Sequence, residues 1–365
     1  MTRLALIMAG GTGGHVFPAL AVAEYLRARD WRVIWLGTRS GLEARVVPAH
    51  GIPIEWVSVA GLRGKSWLAW LTAPLRLAFA YGQALRIVRR HRPAVVLGAG
   101  GFVTGPGGVA ARTLRRPLVI HEQNAIAGLT NRWLARIATE VLEAFPGSFG
   151  KRTRARAIGN PVRSAIALIE APESRLRGRS GRARLLVVGG SLGARRLNTI
   201  VPRALAQLGP AARPEVWHQA GERGLADAEG AYQDCGVEAR VVPFIDDMAA
   251  AYAWCDLIIC RAGALTISEL AAAGLGAILV PFPFAVDDHQ TANARFLVDA
   301  GAAVLIADAD LTPERLAGEI ATLVADRPML LAMAQRARAL ARPTATAELA
   351  EACIAAALAT AEAHA

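Results

Sequence analysis

The chain begins the same construction twice. Near the N-terminus the apolar run Leu4-Ala5-Leu6-Ile7-Met8 leads into Gly10-Gly11-Thr12-Gly13-Gly14-His15, and further on Leu185-Leu186-Val187-Val188 leads into Gly189-Gly190-Ser191-Leu192-Gly193-Ala194. A continuous apolar run of strand length suits a parallel sheet buried on both faces. Glycines at its end permit positive φ and let a ligand approach the backbone closely. A strand and glycine-turn unit that recurs after a Pro/Gly/Ser/Arg-rich connector over 171–184 predicts an α/β chain of two doubly wound parallel-sheet domains, Rossmann-like, facing each other across a cleft. The length of 365 residues agrees with two domains of roughly 100 to 200 residues each. Gly159-Asn160-Pro161 closes the first, giving 1–161 and 162–342, and an alanine-rich helix over 344–361 could pack back on the first domain.

Charge is distributed unevenly between the halves. Residues 1–160 hold 22 Lys and Arg against 7 Asp and Glu, and the remainder holds 19 against 23. The basic half suits a polyphosphate substrate or an anionic membrane surface. Nucleic acid is the least favoured partner, because no helix-turn-helix, finger or aromatic-interleaved basic motif occurs. Leu4–Met8 is too short for a signal-peptide core, and the longest apolar candidate, Trp67 to Gly82, is interrupted by Pro74 and Arg76, short of the ~20 residues a span needs. Trp67, Trp70, Leu71, Leu75 and Phe79 fall on one helical face beside Arg63, Lys65 and Arg76. That face suits either a core-facing helix or a helix lying in a membrane interface, and two tryptophans beside arginines favour the membrane. The four cysteines form no C-x-x-C pair and are expected to be buried thiols.

A third stretch, Leu257 to Pro283, reads as strand, turn, helix from Leu265 to Ala273, and strand. The helix start carries free N–H groups and about half a positive charge, suited to a phosphate. Glu269, one turn in, would repel a bare phosphate chain but can accept two hydrogen bonds from a ribose diol. The pair points to a nucleotide diphosphate; an ordinary strand–helix unit with a surface Glu is the plain alternative. The first glycine turn, ahead of a helix expected over 18–29, does not fit G-x-G-x-x-G, and the strand Val33–Leu36 ends without the acidic residue of an NAD site, leaving Arg39 and a nicotinamide dinucleotide phosphate as a weak second reading. Gly98 to Gly108 makes either close backbone packing or a second phosphate site, and His121-Glu122-Gln123-Asn124 sets four polar side chains at a strand end.

Taken together, Gly10–His15, the Gly100–Gly108 loop, His121–Ala125, Gly159-Asn160-Pro161-Val162-Arg163, Gly189-Gly190-Ser191, Pro243–Met248 and Arg261–Glu269 resemble, in one collinear order, the MurG family. These are bacterial transferases that move N-acetylglucosamine from UDP-N-acetylglucosamine to the C4 hydroxyl of the muramyl sugar of undecaprenyl-linked lipid I, giving lipid II for peptidoglycan. The resemblance implies a GT-B architecture, an inverting hexosyltransferase with no cofactor and no metal, and peripheral attachment to the cytoplasmic face of the inner membrane, with a cell-wall synthesis complex as a further partner. Asp246-Asp247 and Asp287-Asp288 read as caps or surface acids rather than ligands.

Carried over residue by residue, the resemblance puts Ser191 and Arg163 near the donor diphosphate and the Ile245 main chain against uracil. Ala264, Leu265, Thr266, Ile267 and Ser268 form the helix-start cradle, Glu269 takes the ribose diol, and Gln290 and Asn124 take the sugar hydroxyls. Thr12, Gly13 and Gly14 close the site from the first domain. The acceptor pyrophosphate falls to that turn and to Gly100, Gly101, Gly105 and Gly107. His15 is the first candidate base, or else a phosphate donor, and Glu122 is the second. Leu192 and His289 stand where the family commonly has glutamine.

Overall fold

A computed structural model describes residues 3–59, 72–189 and 194–362. The chain divides into two units, Met1–Val162 with Arg342–Ala365, and Arg163–Ala341. Among the described residues the first unit holds β1 (Leu4–Met8), β2 (Arg32–Gly37), β3 (Ile54–Trp56), β4 (Val95–Gly98), β5 (Leu118–Glu122), β6 (Glu140–Glu143) and β7 (Arg156–Ala157). They form one parallel sheet in the order β3-β2-β1-β4-β5-β6-β7. The second unit holds β8 (Arg184–Val188), β9 (Glu215–Gln219), β10 (Arg240–Val242), β11 (Leu257–Cys260), β12 (Gly276–Leu279) and β13 (Ala303–Leu305), parallel in the order β10-β9-β8-β11-β12-β13.

The continuous apolar runs have the physical cause expected of them. Along β1, Ala5 and Ile7 join the core on one face of the sheet while Leu6 and Met8 join the core on the other, so every position from Ala5 to Met8 is buried. A fully buried Leu, Ile or Val contributes about 1.5–3 kcal/mol, which places much of the first domain's stability in these central strands. In both sheets the strand order reverses beside the first strand, between β1 and β4 and between β8 and β11. At such a switch point the two adjoining connections leave in opposite directions and open a crevice at the strand carboxyl ends. The turns after β1, β4 and β11 stand at those points, which is why chemistry-bearing residues gather there.

The last helix, Ala345–Glu362, packs on the first helix, Gly13–Arg27, and its Leu349, Ala350, Cys353 and Ala357 lie in the first domain's core. The return of the chain to the first unit requires close approach at Gly159, which has φ +87°; a Cβ there would collide with the Arg342 side chain. Cys255, Cys260 and Cys353 are buried, whereas Cys235 is half-buried, a partial correction to four buried thiols.

Candidate functional site

The glycine turn after β1 is shorter than expected. The helix begins at Gly13 rather than near Pro18, with Thr12 extended at its N-cap, so Gly13, Gly14 and His15 form the first helical turn. Pro18 sits inside it at the cost of one bond to the Gly14 carbonyl. The backbone N–H groups of Gly13 and Gly14 begin the helix, while those of His15 and Val16 already bond the Thr12 carbonyl. No acidic side chain offsets the positive end of the helix in that turn.

A residue that the motif pattern does not flag holds the turn in shape. Glu43 is fully buried, accepting from Gly11 N at 2.9 Å with Oε2 and from Thr38 N at 2.9 Å and Thr38 Oγ1 at 2.8 Å with Oε1. Trp35, also fully buried, donates from Nε1 to the Ala9 carbonyl at 2.8 Å. Both contacts come from the neighbouring strand and its connection, 32 and 26 residues away in sequence.

The glycines after β4 answer mainly to packing. A Cβ on Gly101, at φ +84°, would strike the Gly10 backbone, and one on Gly100, at φ +94°, would strike the His15 ring. The helix that follows, Thr104–Thr113, begins inside what the sequence suggests is a loop. Gly107 lies in that helix, buried, with Met8 Sδ where its Cβ would be. It has no face open to an acceptor pyrophosphate, which corrects its assignment; Gly100, Gly101 and Gly105 are left as candidates.

At the end of β5, His121, Glu122 and Gln123 are all buried. Glu122 Oε1 accepts from Asn124 N at 3.0 Å and Nδ2 at 3.2 Å, and Oε2 accepts from Gly128 N at 3.0 Å and Asn131 Nδ2 at 2.9 Å. Four donors on a buried carboxylate make it an anchor for the following loop and leave little capacity to take a substrate proton. His121 Nε2 meets the Gly159 carbonyl at 2.9 Å. His15, half-buried, meets Gln123 Oε1 through Nδ1 at 3.0 Å.

In the second unit the helix Ala264–Ala273 follows β11 at once, with extended Gly263 as N-cap. Ile267 is fully buried and its N–H bonds the Gly263 carbonyl, so the cradle narrows to the amides of Ala264, Leu265 and Thr266; Ser268 Oγ turns back to the Ala264 carbonyl at 3.0 Å. Glu269 Oε1 accepts from Arg163 Nε at 3.2 Å and Nη2 at 2.9 Å, and Oε2 accepts from the Tyr252 hydroxyl at 3.1 Å. Burial raises the Glu269 pKa, with Arg163 and the two hydrogen-bond partners opposing. Tyr252, another residue sequence reasoning passed over, is pushed up by burial and by the Glu269 charge, so it stays a donor. Ile245 is buried, and its N–H is already bonded to Gln219 Oε1 at 3.1 Å, so hydrogen bonding to a base would fall to its carbonyl. Gln290 Oε1 accepts from Phe282 N at 2.8 Å.

Ser191, Leu192, Trp67, Trp70 and Leu71 lie outside the described residues. Leu75 and Phe79 lie on the helix Ala73–His91 and are 75% and 60% exposed, while Ala80, Ala84, Ile87 and Val88 make its core face, so the core-facing reading fails for these two. Arg39 stacks on Trp56, 5.3 Å from the ring centroid, which occupies the side chain that kept the dinucleotide reading open. The sequence also carries a D-x-D triplet, Asp308-Ala309-Asp310, a spacing that metal independence has to meet. Arg261 and Arg196 hold Asp308, at 2.6 and 3.5 Å, and Arg315 holds Asp310 at 3.5 Å. Among the described residues no group of three His, Cys, Asp or Glu is placed to hold a metal ion.

Two buried histidines set an acid limit on the two domains. Burial holds His121 down to about 4 and His218, bonded to Tyr232 and Asn198, down to about 3. Both stay neutral when folded and protonate near 6.5 when unfolded, so stability falls as pH drops below 6.5. At pH 5 each costs its domain about 2 kcal/mol, expected as a lower urea midpoint than at pH 7. An unchanged midpoint would show that these rings bind protons in the folded state.

Residues 5–143 match the glycosyltransferase family 28 N-terminal domain and residues 184–349 its C-terminal domain. A Nitrosococcus oceani protein named UDP-N-acetylglucosamine–N-acetylmuramyl-(pentapeptide) pyrophosphoryl-undecaprenol N-acetylglucosamine transferase is 60% identical over 96% of this chain and 97% of its own. A Marinobacter nauticus protein of the same name is 58% identical over 97% and 98%. The crystal structure of MurG from Acinetobacter baumannii superposes with a TM-score of 0.86 at 41% identity, covering 96% of this chain and 99% of that one.

Proposed function

Because the chain belongs to glycosyltransferase family 28, and within it to the MurG family, we infer that it is the hexosyltransferase that moves N-acetylglucosamine from UDP-N-acetylglucosamine to lipid I, giving lipid II for peptidoglycan. Its architecture is GT-B, two parallel-sheet α/β domains. The observation that carries the inference is 58–60% identity over nearly the full length to transferases of one name, joined to a helix start and a half-buried carboxylate suited to a nucleotide diphosphate.

The second domain binds the donor. Glu269 accepts the ribose hydroxyls, the Ile245 carbonyl meets the uracil, and the amides of Ala264, Leu265 and Thr266, with Arg163 and Ser191, face the diphosphate. Gln290 and Asn124 hold the sugar hydroxyls, with Thr12, Gly13 and Gly14 as the first domain's contribution. Gly100, Gly101 and Gly105 serve the acceptor pyrophosphate.

His15 is the base. It takes the proton of the muramyl C4 hydroxyl as that oxygen bonds to the anomeric carbon. The bond from that carbon to the β-phosphate oxygen breaks, its electron pair leaves with UDP, and attack from the opposite face inverts the configuration. Backbone amides, the helix terminus and arginine stabilise the leaving charge without a metal. Transfer of labelled N-acetylglucosamine to a lipid I analogue, measured with EDTA present and UDP-glucose as competitor, tests donor, acceptor and metal independence together. Donor binding without transfer would sink the acceptor assignment.

Attachment is peripheral, at the cytoplasmic face of the inner membrane and within reach of other cell-wall enzymes. No helix among the described residues is long and apolar enough to cross a membrane. The exposed Leu75 and Phe79 beside exposed Arg76 support an interfacial helix. Replacing both with glutamate is expected to reduce co-sedimentation with anionic vesicles at least tenfold, since each loses a buried apolar side chain and adds repulsion, while donor KM stays unchanged. Undiminished sedimentation would move the contact elsewhere.

A further inference from the structure

Gln123 has no part in the reaction as described, yet it is 1% exposed and touches the ring of the base. We propose that Gln123 is a positioning residue that fixes the tautomer of His15, holding the proton on Nδ1 and leaving Nε2 bare to receive the substrate proton. The proposal rests on the reading of His15 as base.

Carbonyl oxygens around Gln123 can act only as acceptors and so fix which way its amide is turned. Gln123 Nε2 lies 2.9 Å from the Ala99 carbonyl and 3.4 Å from the His121 carbonyl, and backbone carbonyls only accept. The NH₂ group must therefore be on that side and Oε1 must face His15. An amide oxygen also only accepts, so the His15 Nδ1 that it meets at 3.0 Å carries hydrogen. A neutral imidazole with Nδ1–H has its lone pair on Nε2.

His121 Nε2 faces the Gly159 carbonyl and so donates, which leaves its Nδ1 lone pair toward the Gln123 NH₂ group at 3.3 Å. Burial keeps His121 neutral well below physiological pH, so it places no charge beside the dyad. The chain of hydrogen bonds thus runs in one sense, from His15 through Gln123 and His121 to the Gly159 carbonyl. Gly100 completes the setting, since a Cβ there would displace the His15 ring. Among the described residues of the first unit, the titratable groups that face the ring's surroundings are His121 and Glu122, both on β5, and Glu43 under the Gly10–Thr12 turn, and both carboxylates are taken up by local donors. The first helical turn and the Gly98–Gly101 segment carry no acidic side chain.

Imidazole nitrogen resonances of the ¹⁵N-histidine-labelled full-length protein, with His15 assigned from His15→Asn, read the tautomer directly. The expected result is an Nδ1–H, bare-Nε2 signature above the titration of the ring; an Nε2–H signature overturns the proposal. Gln123→Glu keeps the acceptor and adds a charge, so the acid limb of the kcat–pH profile should move up by about one unit or more, with donor KM changed less than about twofold. Gln123→Met should lower kcat about tenfold or more at unchanged donor KM. Losses in kcat that follow the unfolding midpoint, with the acid limb unmoved, would assign Gln123 a structural role only. Full turnover in His15→Asn beside an Nδ1–H signature in the native protein would instead sink the base assignment and leave the tautomer lock standing.

Discussion

Replacing His15 by alanine is expected to lower kcat by roughly 10²–10⁴-fold while leaving the KM for UDP-N-acetylglucosamine nearly unchanged. The size follows from the chemistry. A sugar hydroxyl is a poor nucleophile until a base takes its proton, and general-base catalysis contributes in that range. The split between kcat and KM follows from the fold: His15 belongs to the first domain's glycine turn, whereas the groups assigned to the nucleotide belong to the second unit. The substitution removes a half-exposed ring from a helix start and leaves Glu43 and Trp35 holding the turn, so the first domain's melting temperature should be little altered. Steady-state kinetics with a lipid I analogue check this result. A rise in donor KM with kcat preserved would make His15 a phosphate donor rather than a base.

Glu269→Gln is expected to raise the donor KM roughly 100-fold or more, because hydrogen bonds to a charged group contribute about 1.5–3 kcal/mol each and the ribose diol supplies two. Oε1 already accepts two hydrogen bonds, from Arg163 Nε and Nη2, and Oε2 accepts one, from Tyr252, so a ribose diol takes the second lone pair of Oε2 and displaces one arm of the Arg163 fork from Oε1. Burial raises the Glu269 pKa, so protonation sets in at higher pH than for an ordinary carboxylate. Donor binding needs the ionised form, and donor KM should therefore climb on acidification earlier than an unperturbed Glu would allow. The glutamine variant should lack that climb. For stability the sign is opposite: a raised carboxyl pKa means that ionised Glu269 weighs against the fold above that pKa, a weight relieved as pH falls. The variant should then melt no lower than the parent at neutral pH. A donor KM within threefold of the parent would remove Glu269 from the nucleotide site.

Much of this protein is legible in its sequence for a local reason. Strands β1, β8 and β11 are continuous apolar runs because both faces of a parallel sheet are covered, and that pattern is written in consecutive residues. Glycine turns after β1 and β4 mark the switch point of the first sheet, since only small residues permit the positive φ and close approach seen at Gly100 and Gly101. The ordered set of motifs identifies the family without any contact being known.

The partners that make these motifs work were settled by tertiary structure. Glu43 braces Gly11 from 32 residues away, and Tyr252 engages Glu269 from 17. His15 meets Gln123 across 108 residues. Gly107 looks like a phosphate-loop glycine until Met8 is found against it. Leu75 and Phe79 lie on a face whose flanking tryptophans and arginines favour a membrane, yet the core-facing alternative stands until Ala80, Ala84, Ile87 and Val88 are found to take the core face. Strand identity depends on the residue and its immediate neighbours, whereas hydrogen-bond direction, burial and tautomer depend on which distant segment the sheet order places alongside, and no local pattern carries that information.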